Sequence, residues 1–270
     1  MTGFLQIVLI LVCGGSLVGL LSGMFGVGGA FIIVPLLNIL FTQMGISQDI
    51  VQHLAVGTAP STMLITSLTT FIAHTRMGSM RWDVWRIMLP GIIVGAVSGA
   101  LLAHHVNGRT LEALFGIILL IISSQMFIGR TPRPNEKMKK FYVPVSLFVG
   151  MLASMTGVAG SMQIIIFLVW AGHDWCDSVS TAAALTLPIS LTATISYALL
   201  GWNQSGLPEW SLGYVYLPGT LLLMLPGILM AVVGARLAHW SGLPLTNLKR
   251  FFALFSLFIG ASTLYRALFA

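Results

Sequence analysis

The sequence carries very little charge, with 13 Lys and Arg and 7 Asp and Glu among 270 residues. Soluble globular domains carry about 25% charged residues, so a chain with 7% cannot form a soluble surface, and a water-soluble enzyme is excluded. Disorder is excluded too, because disordered chains combine low hydrophobicity with high charge, whereas 57% of these residues are hydrophobic. At about 20 apolar residues per membrane helix, the chain has room for about ten spans and no separate soluble domain.

Cysteines are also few, and the N-terminal part of the sequence lacks Lys and Arg. The two cysteines, Cys13 and Cys176, have neither a zinc-binding nor a disulfide-framework spacing. No Lys or Arg precedes Arg76, whereas a cleaved signal peptide has a positive N-terminal region, so we expect the first apolar segment to be a retained helix. The net charge of +6 in such an apolar chain indicates membrane orientation and argues against nucleic-acid binding.

The hydrophobic segments form two series of five, separated by a linker rich in proline and basic residues at 130–140. We therefore predict a first membrane repeat at 1–129, a cytoplasmic linker at 130–141 and a second membrane repeat at 142–270. The segments lie at about 4–24, 29–44, 50–73, 84–106 and 110–129, and then at about 142–156, 160–173, 178–201, 212–240 and 246–269.

Residues of the first series recur in the second series in the same order. Gly19 and Gly29 recur as Gly150 and Gly160 at an offset of 131 residues, and 99–104 resembles 234–239 at an offset of 135. Because the order is kept and the offsets drift only by loop-sized amounts, these matches indicate a two-repeat membrane protein.

Basic residues are distributed unevenly over the connecting segments. The turn at 74–86, the linker and the segment from 236 to 250 hold eleven of the thirteen Lys and Arg, and cytoplasmic loops carry such an excess. The turns that the repeat equates, 74–86 and 202–211, then face opposite sides. We predict an all-α polytopic membrane protein with two inverted repeats, short or broken helices at glycine-rich hinges, and both termini outside.

Glycine clusters form the hinges, at 26–29 and 157–160. A helix broken at membrane depth leaves free N–H groups at the start of the next helix, where the positive dipole end favours an anion. Ser161 is expected to cap that next helix or to turn its hydroxyl toward a ligand. The predicted anion contacts are Gly26, Gly28, Gly29, Gly157, Gly160 and Ser161. Alternatively, these glycines only permit close helix packing, as we expect of Gly15, Gly19, Gly91, Gly95 and Gly99.

A stripe of hydroxyl residues gives a second candidate surface. Thr58 and Thr62 lie on one helical face of the first half, and Thr186 and Ser190 lie on one face of the second. Pro60 and its equivalent in the second half, Pro188, each free a helix carbonyl that a hydroxyl could satisfy. These four hydroxyls line a substrate path or, alternatively, only join membrane helices.

The sequence contains no constellation typical of catalysis, cofactor binding or metal binding. We find no carboxylate pair, no nucleophile beside a base, no phosphate-binding loop and no metal ligand set. The six histidines fall mostly near segment ends, where they are expected to be interfacial. We therefore expect no enzymatic activity and no cofactor.

Several of these motifs resemble the TauE/SafE family of sulfite and organosulfur-anion exporters. The resemblance covers about 4–265 and is carried by Gly19–Gly29, Pro35, Gly57 with Thr58, His74 with Gly78, and 234–255. It implies a bacterial inner-membrane permease for small sulfur-containing or organic anions, often coupled to a proton gradient. Two departures alter the polarity of the second hinge. It has the sequence Gly-Val-Ala-Gly-Ser where the first hinge has Gly-Val-Gly-Gly, and Gln163 stands at the position that matches the apolar Ile32.

Together these features predict a transporter of a small anion, such as sulfite or an organosulfonate, that works by alternating access, with proton coupling left open. Gln163 would add an amide donor to the hinge donors. The expected partners are the anion and the lipid bilayer, with a homo-oligomer left open and no nucleic acid. The alternatives are an anion channel and a non-catalytic subunit of a larger membrane assembly.

Overall fold

A computed structural model describes residues 2–25, 30–78, 80–128, 134–158, 160–238 and 245–269. These residues form ten α-helices, a 3₁₀ helix at Glu136–Phe141 and a hairpin of two strands, β1 (Ser211–Leu212) and β2 (Val215–Tyr216). The all-α class is confirmed. The helices are α1 (Thr2–Phe25), α2 (Ala30–Gln43), α3 (Gln48–Met77), α4 (Trp82–His105), α5 (Gly108–Ile128), α6 (Tyr142–Thr156), α7 (Ser161–Trp170), α8 (Trp175–Leu200), α9 (Leu217–Ala238) and α10 (Leu245–Phe269).

Long apolar helices and very short ones alternate along the chain. Within the described residues, stretches of α3, α4, α5, α8 and α9 are long and apolar enough to cross a bilayer. By contrast α7 has 10 residues, which at 1.5 Å per residue span about 15 Å, or half of a bilayer's hydrocarbon core. The predicted combination of spanning and short helices is therefore present.

Large apolar side chains lie on the outside of the molecule as well as in its core. Leu199, Leu229 and Phe258 expose 66%, 71% and 70% of their surfaces, while Leu37 and Phe41 are fully buried. Apolar surface on this scale is unfavourable in water and is matched by lipid. The protein is a multi-pass membrane protein.

Helix pairs approach closely where glycine removes the side chain. Helix α1 packs along α9, and α4 packs along α6. A Cβ atom added to Gly19 would overlap the backbone of Gly227, and one added to Gly95 would overlap the backbone of Leu147. Gly15 and Gly99 make equivalent backbone contacts, and Gly91 lies against the Ser146 hydroxyl and the Val143 carbonyl, so the expected packing role of these five glycines is confirmed.

The two halves use matching residues at these contacts. Gly19 meets Gly227, and Gly150 meets Ile92. The sequence offsets map Gly19 onto Gly150 and Ile92 onto Gly227. This correspondence supports the proposed division into two repeats, which remains a prediction.

The turns that the repeat equates lie at opposite ends of α8. At its N-terminal end, the Arg81 backbone N–H donates to the hydroxyl of Thr181 at 3.1 Å, and Arg81 lies 3.7 Å from Asp177. At its C-terminal end, the Tyr214 backbone N–H of the hairpin donates to the carbonyl of Tyr197 at 3.2 Å. Opposite placement of equivalent turns is what inverted repeats require.

Candidate functional site

The second glycine hinge separates α6 from α7. Gly157 ends α6 with φ of 71°, and Gly160 precedes α7 with φ of 65°. Glycine adopts this left-handed backbone without the steric cost that other residues incur. The N-cap is Gly160, and no side chain caps α7, so the expected capping by Ser161 is wrong: Ser161 is the first residue of the helix.

The start of α7 therefore presents unpaired backbone donors. The first intrahelical bond runs from the Ile164 N–H to the Gly160 carbonyl at 3.2 Å. The N–H groups before Ile164 have no partner within the helix, and they lie at the positive end of its dipole. An anion placed there would meet donors that have no partner within α7.

A narrow cleft opens beside these donors. Helices α2, α5, α7 and α10 contribute to its walls, and we call it the α7 cleft. Its lining includes Phe31, Ser123, Gly160, Ser161, Gln163 and Ser256.

Several polar groups in the α7 cleft are buried without a partner. Ser161 and Ser256 are 5% and 4% exposed, and neither hydroxyl has a hydrogen bond within the described residues. The Gln163 Oε1 atom is buried and also lacks a partner there. Buried polar groups are normally hydrogen-bonded, so unused groups around one cavity indicate a ligand or water site.

The hydroxyl stripe is not brought into the α7 cleft. The Thr58 hydroxyl accepts from the Tyr216 backbone N–H at 3.0 Å and thereby holds the hairpin to α3. Thr186 donates to a carbonyl of its own helix. Ser190 lies 3.1 Å from the hydroxyl of Ser67 and joins α8 to α3. Of these contacts, that of Ser190 matches the alternative in which hydroxyls join helices.

Thr62 lies in a different place from the other three hydroxyl residues. It lines a second narrow cleft between α1, α3 and α9, together with Thr66. Its hydroxyl donates to the Ala59 carbonyl at 2.7 Å. The predicted path-lining role of Thr62 therefore has a cavity beside it, but a separate one.

The predicted hinge glycines differ in whether the structure describes them and in whether they line the α7 cleft. Of the two described hinge glycines that were predicted as contacts, Gly160 lines the α7 cleft, whereas Gly157 packs near Val34 and the Val56 carbonyl. Pro60 inside α3 deprives that carbonyl of its helical donor. The predicted contacts Gly26, Gly28 and Gly29 lie outside the described residues, and the whole set of substrate contacts remains a prediction.

Sequence reasoning missed Ser123 and Ser256. Each is one of two serines in a largely apolar helix, and they come together only because α5 packs along α10. Gly116 and Gly260 allow that approach, with an added Cβ at Gly116 lying 3.0 Å from the Gly260 carbonyl. In the sequence, one glycine in each helix was the only indication that the two helices pack closely at this point.

The comparisons with known proteins agree with this architecture. The family described as "Sulfite exporter TauE/SafE" matches residues 11–263. The chain belongs to the TauE/SafE family.

The relatives of this TauE/SafE chain have transporter names. A "Probable membrane transporter protein" of Haemophilus influenzae is 27% identical over 89% of this chain and 92% of its own length. One from Methanocaldococcus jannaschii is 26% identical over 87% of each chain. YunE of Bacillus subtilis, named in the same way, is 23% identical over 78% of this chain and 83% of its own. No solved structure matches the chain. Membership of the family and the names of these relatives identify membrane transport as the function.

Proposed function

We propose that the protein moves a small anion across the membrane by alternating access and binds that anion in the α7 cleft. The observation that carries the proposal is the convergence of unused donors on one cavity. The N-terminal N–H groups of α7, the hydroxyls of Ser161 and Ser256 and the amide of Gln163 surround the same space. Transporters with inverted repeats bind substrates at such interrupted helices, whose N-terminal ends point at anionic groups.

Sulfite and small organosulfonates are the proposed substrates. The name of the family is the reason for the choice of sulfite, and the donors of the cleft suit the oxygens of a sulfur oxyanion. A channel would require a continuous open path, whereas the described residues around the α7 cleft are tightly packed, with Leu119 and Ser123 2% and 1% exposed.

We also propose that the protein lies in a bacterial inner membrane with both termini outside. The Asn135 N–H donates to the Trp170 carbonyl, which brings the linker to the same end of the molecule as the turn at 78–81. The basic residues Arg81, Lys137, Lys139 and Lys140 are therefore at one end. Cytoplasmic loops carry this excess of positive charge.

Flux in liposomes that contain only this protein tests the proposal. The anions are sulfite, thiosulfate, sulfoacetate and a carboxylate, each supplied as a gradient. We expect flux of at least one sulfur oxyanion, and Ser161→Ala should weaken its binding by about 1–3 kcal/mol, the range for hydrogen bonds to charged groups. Ser262→Ala is the matched control, because Ser262 is exposed and bonds only within α10.

Two outcomes contradict the proposal. Folded protein that moves none of the four anions would favour the subunit alternative. Flux that never accumulates an anion against its own gradient, under any imposed proton or sodium gradient, would favour a channel.

A further inference from the structure

Among its described residues, the α7 cleft contains polar groups but no charged side chain. Among the residues that line it, the polar side chains are Ser123, Ser161, Gln163 and Ser256, and all are neutral. The positive field at this site comes from the start of α7, where a helix dipole is equivalent to about half an elementary charge. Within the described part of the chain, a bound anion would therefore be compensated by dipoles alone.

Dipolar compensation discriminates between single and double charge. Attraction between an ion and fixed dipoles grows in proportion to the ionic charge, whereas the Born cost of removing the ion from water grows with its square. A second charge thus doubles the attraction and raises the desolvation cost about fourfold. A neutral cleft of this kind favours a monoanion over a dianion of the same shape.

The hydrogen-bonding groups of the cleft lead to the same conclusion. The Ser123 hydroxyl donates its proton to the Leu119 carbonyl at 2.7 Å, so its oxygen faces a ligand as an acceptor. Gln163 Oε1 is a further acceptor without a partner. A fully deprotonated dianion offers only acceptors, whereas a hydrogen oxyanion or a hydroxyl-bearing sulfonate supplies the O–H that such groups require.

From these two features we infer that the α7 cleft takes its substrate as a singly charged oxyanion. For a polyprotic acid the bound species is the monoprotonated anion, such as hydrogensulfite in place of sulfite. The inference rests on the proposed function of the cleft and adds the charge state of the substrate to it.

Three tetrahedral anions of similar size test the inference by calorimetric titration of the purified full chain. Methanesulfonate carries one charge, sulfate carries two, and methylphosphonate changes from one to two near neutral pH. We expect sulfate to bind at least about tenfold more weakly than methanesulfonate. The affinity for methylphosphonate should fall about tenfold per pH unit above its second ionisation, the linkage slope for binding of one protonated form. Methanesulfonate across the same pH range corrects for titration of the protein.

Variants of the cleft separate the inference from the proposed function. Gln163→Lys places a positive charge in the cleft and should raise the affinity for sulfate relative to methanesulfonate, while Gln163→Met, its neutral control, should not. If methanesulfonate binds and sulfate binds as tightly, the inference is overturned and the proposed site stands. If none of the three anions binds, or if binding is unchanged in a Ser161→Ala and Ser256→Ala double variant, the proposed site is overturned and the inference with it.

Discussion

Gly99 on α4 lies directly against the carbonyl of Met151 on α6, so that a Cβ atom has no room between them. The same contact occurs between Gly234 on α9 and the carbonyl of Leu20 on α1. The offsets of 135 and 131 residues map Gly99 onto Gly234 and Leu20 onto Met151. The helix pair α4–α6 and the helix pair α1–α9 therefore meet through residues that correspond in the two repeats. This correspondence is the strongest support for the two-repeat proposal.

Substitution of either glycine should loosen its helix pair. We expect Gly99→Ala and Gly234→Ala each to lower stability by about 1–3 kcal/mol, the usual cost of overpacking a filled contact. Thermal unfolding in detergent measures the effect. Leu102→Ala is the control, because Leu102 is on the same helix and 47% exposed. Equal melting of Gly99→Ala and Leu102→Ala would show that the contact is not tight.

Ser190 should matter for stability more than for flux. Its hydroxyl contacts Ser67 across the interface of α8 with α3, and a hydrogen bond between membrane helices contributes about 0.6 kcal/mol. We expect Ser190→Ala to melt slightly earlier with normal flux per folded molecule. Thr186→Ala is the control, since the Thr186 hydroxyl bonds only within α8. A loss of flux without a change in melting would instead place Ser190 on the substrate path.

His173 makes the stability of one end of the molecule dependent on pH. Burial, and then the charges of Arg81 and Lys139, hold the pKa of His173 below its ordinary value of 6.5. The unfolded chain therefore binds a proton more readily than the folded one, and stability is lost as pH falls below about 6.5. We expect the melting temperature to drop on acidification toward about pH 5, and His173→Gln to reduce that drop. An identical acid dependence in the variant would assign the effect to other groups.

The topology can be tested by accessibility of two single cysteines. Cys13 and Cys176 are first replaced by Ser, and then Asn135→Cys and Ser205→Cys are made separately. Asn135 belongs to the linker, and Ser205 is an exposed residue of the loop before the hairpin. We expect an impermeant thiol reagent to label Asn135→Cys only from the cytoplasm and Ser205→Cys only from outside. Labelling of both from one side would reject inverted repeats.

Local sequence features were sufficient to predict the helices and the second hinge. Glycines at 157 and 160 have positive φ, and a glycine cluster in an apolar segment indicates a break of this kind. The hairpin was missed. Residues 212–216 are apolar and looked like the start of a helix, yet α9 begins at Leu217 because Gly213 turns the chain with φ of 58°.

The composition of the α7 cleft could not be read from the chain in the same way. Periodicity tells which residues share a helix face, but not which neighbour that face meets. Ser256 reaches the cleft only through the packing of α10 on α5, and Thr58 is drawn away from any cleft by a bond to Tyr216, 158 residues later. Contacts between distant segments decide such assignments.

Protection of a cysteine in the α7 cleft tests the central claim most directly. In the protein without Cys13 and Cys176, Ser256→Cys puts a thiol in the cleft, and Ser262→Cys puts one on the exposed side of the same helix. We predict that methanesulfonate slows the reaction of Ser256→Cys with a small thiol reagent and leaves Ser262→Cys unaffected. Unchanged labelling of Ser256→Cys, at methanesulfonate concentrations that bind the protein by calorimetry, would contradict an anion site in the α7 cleft.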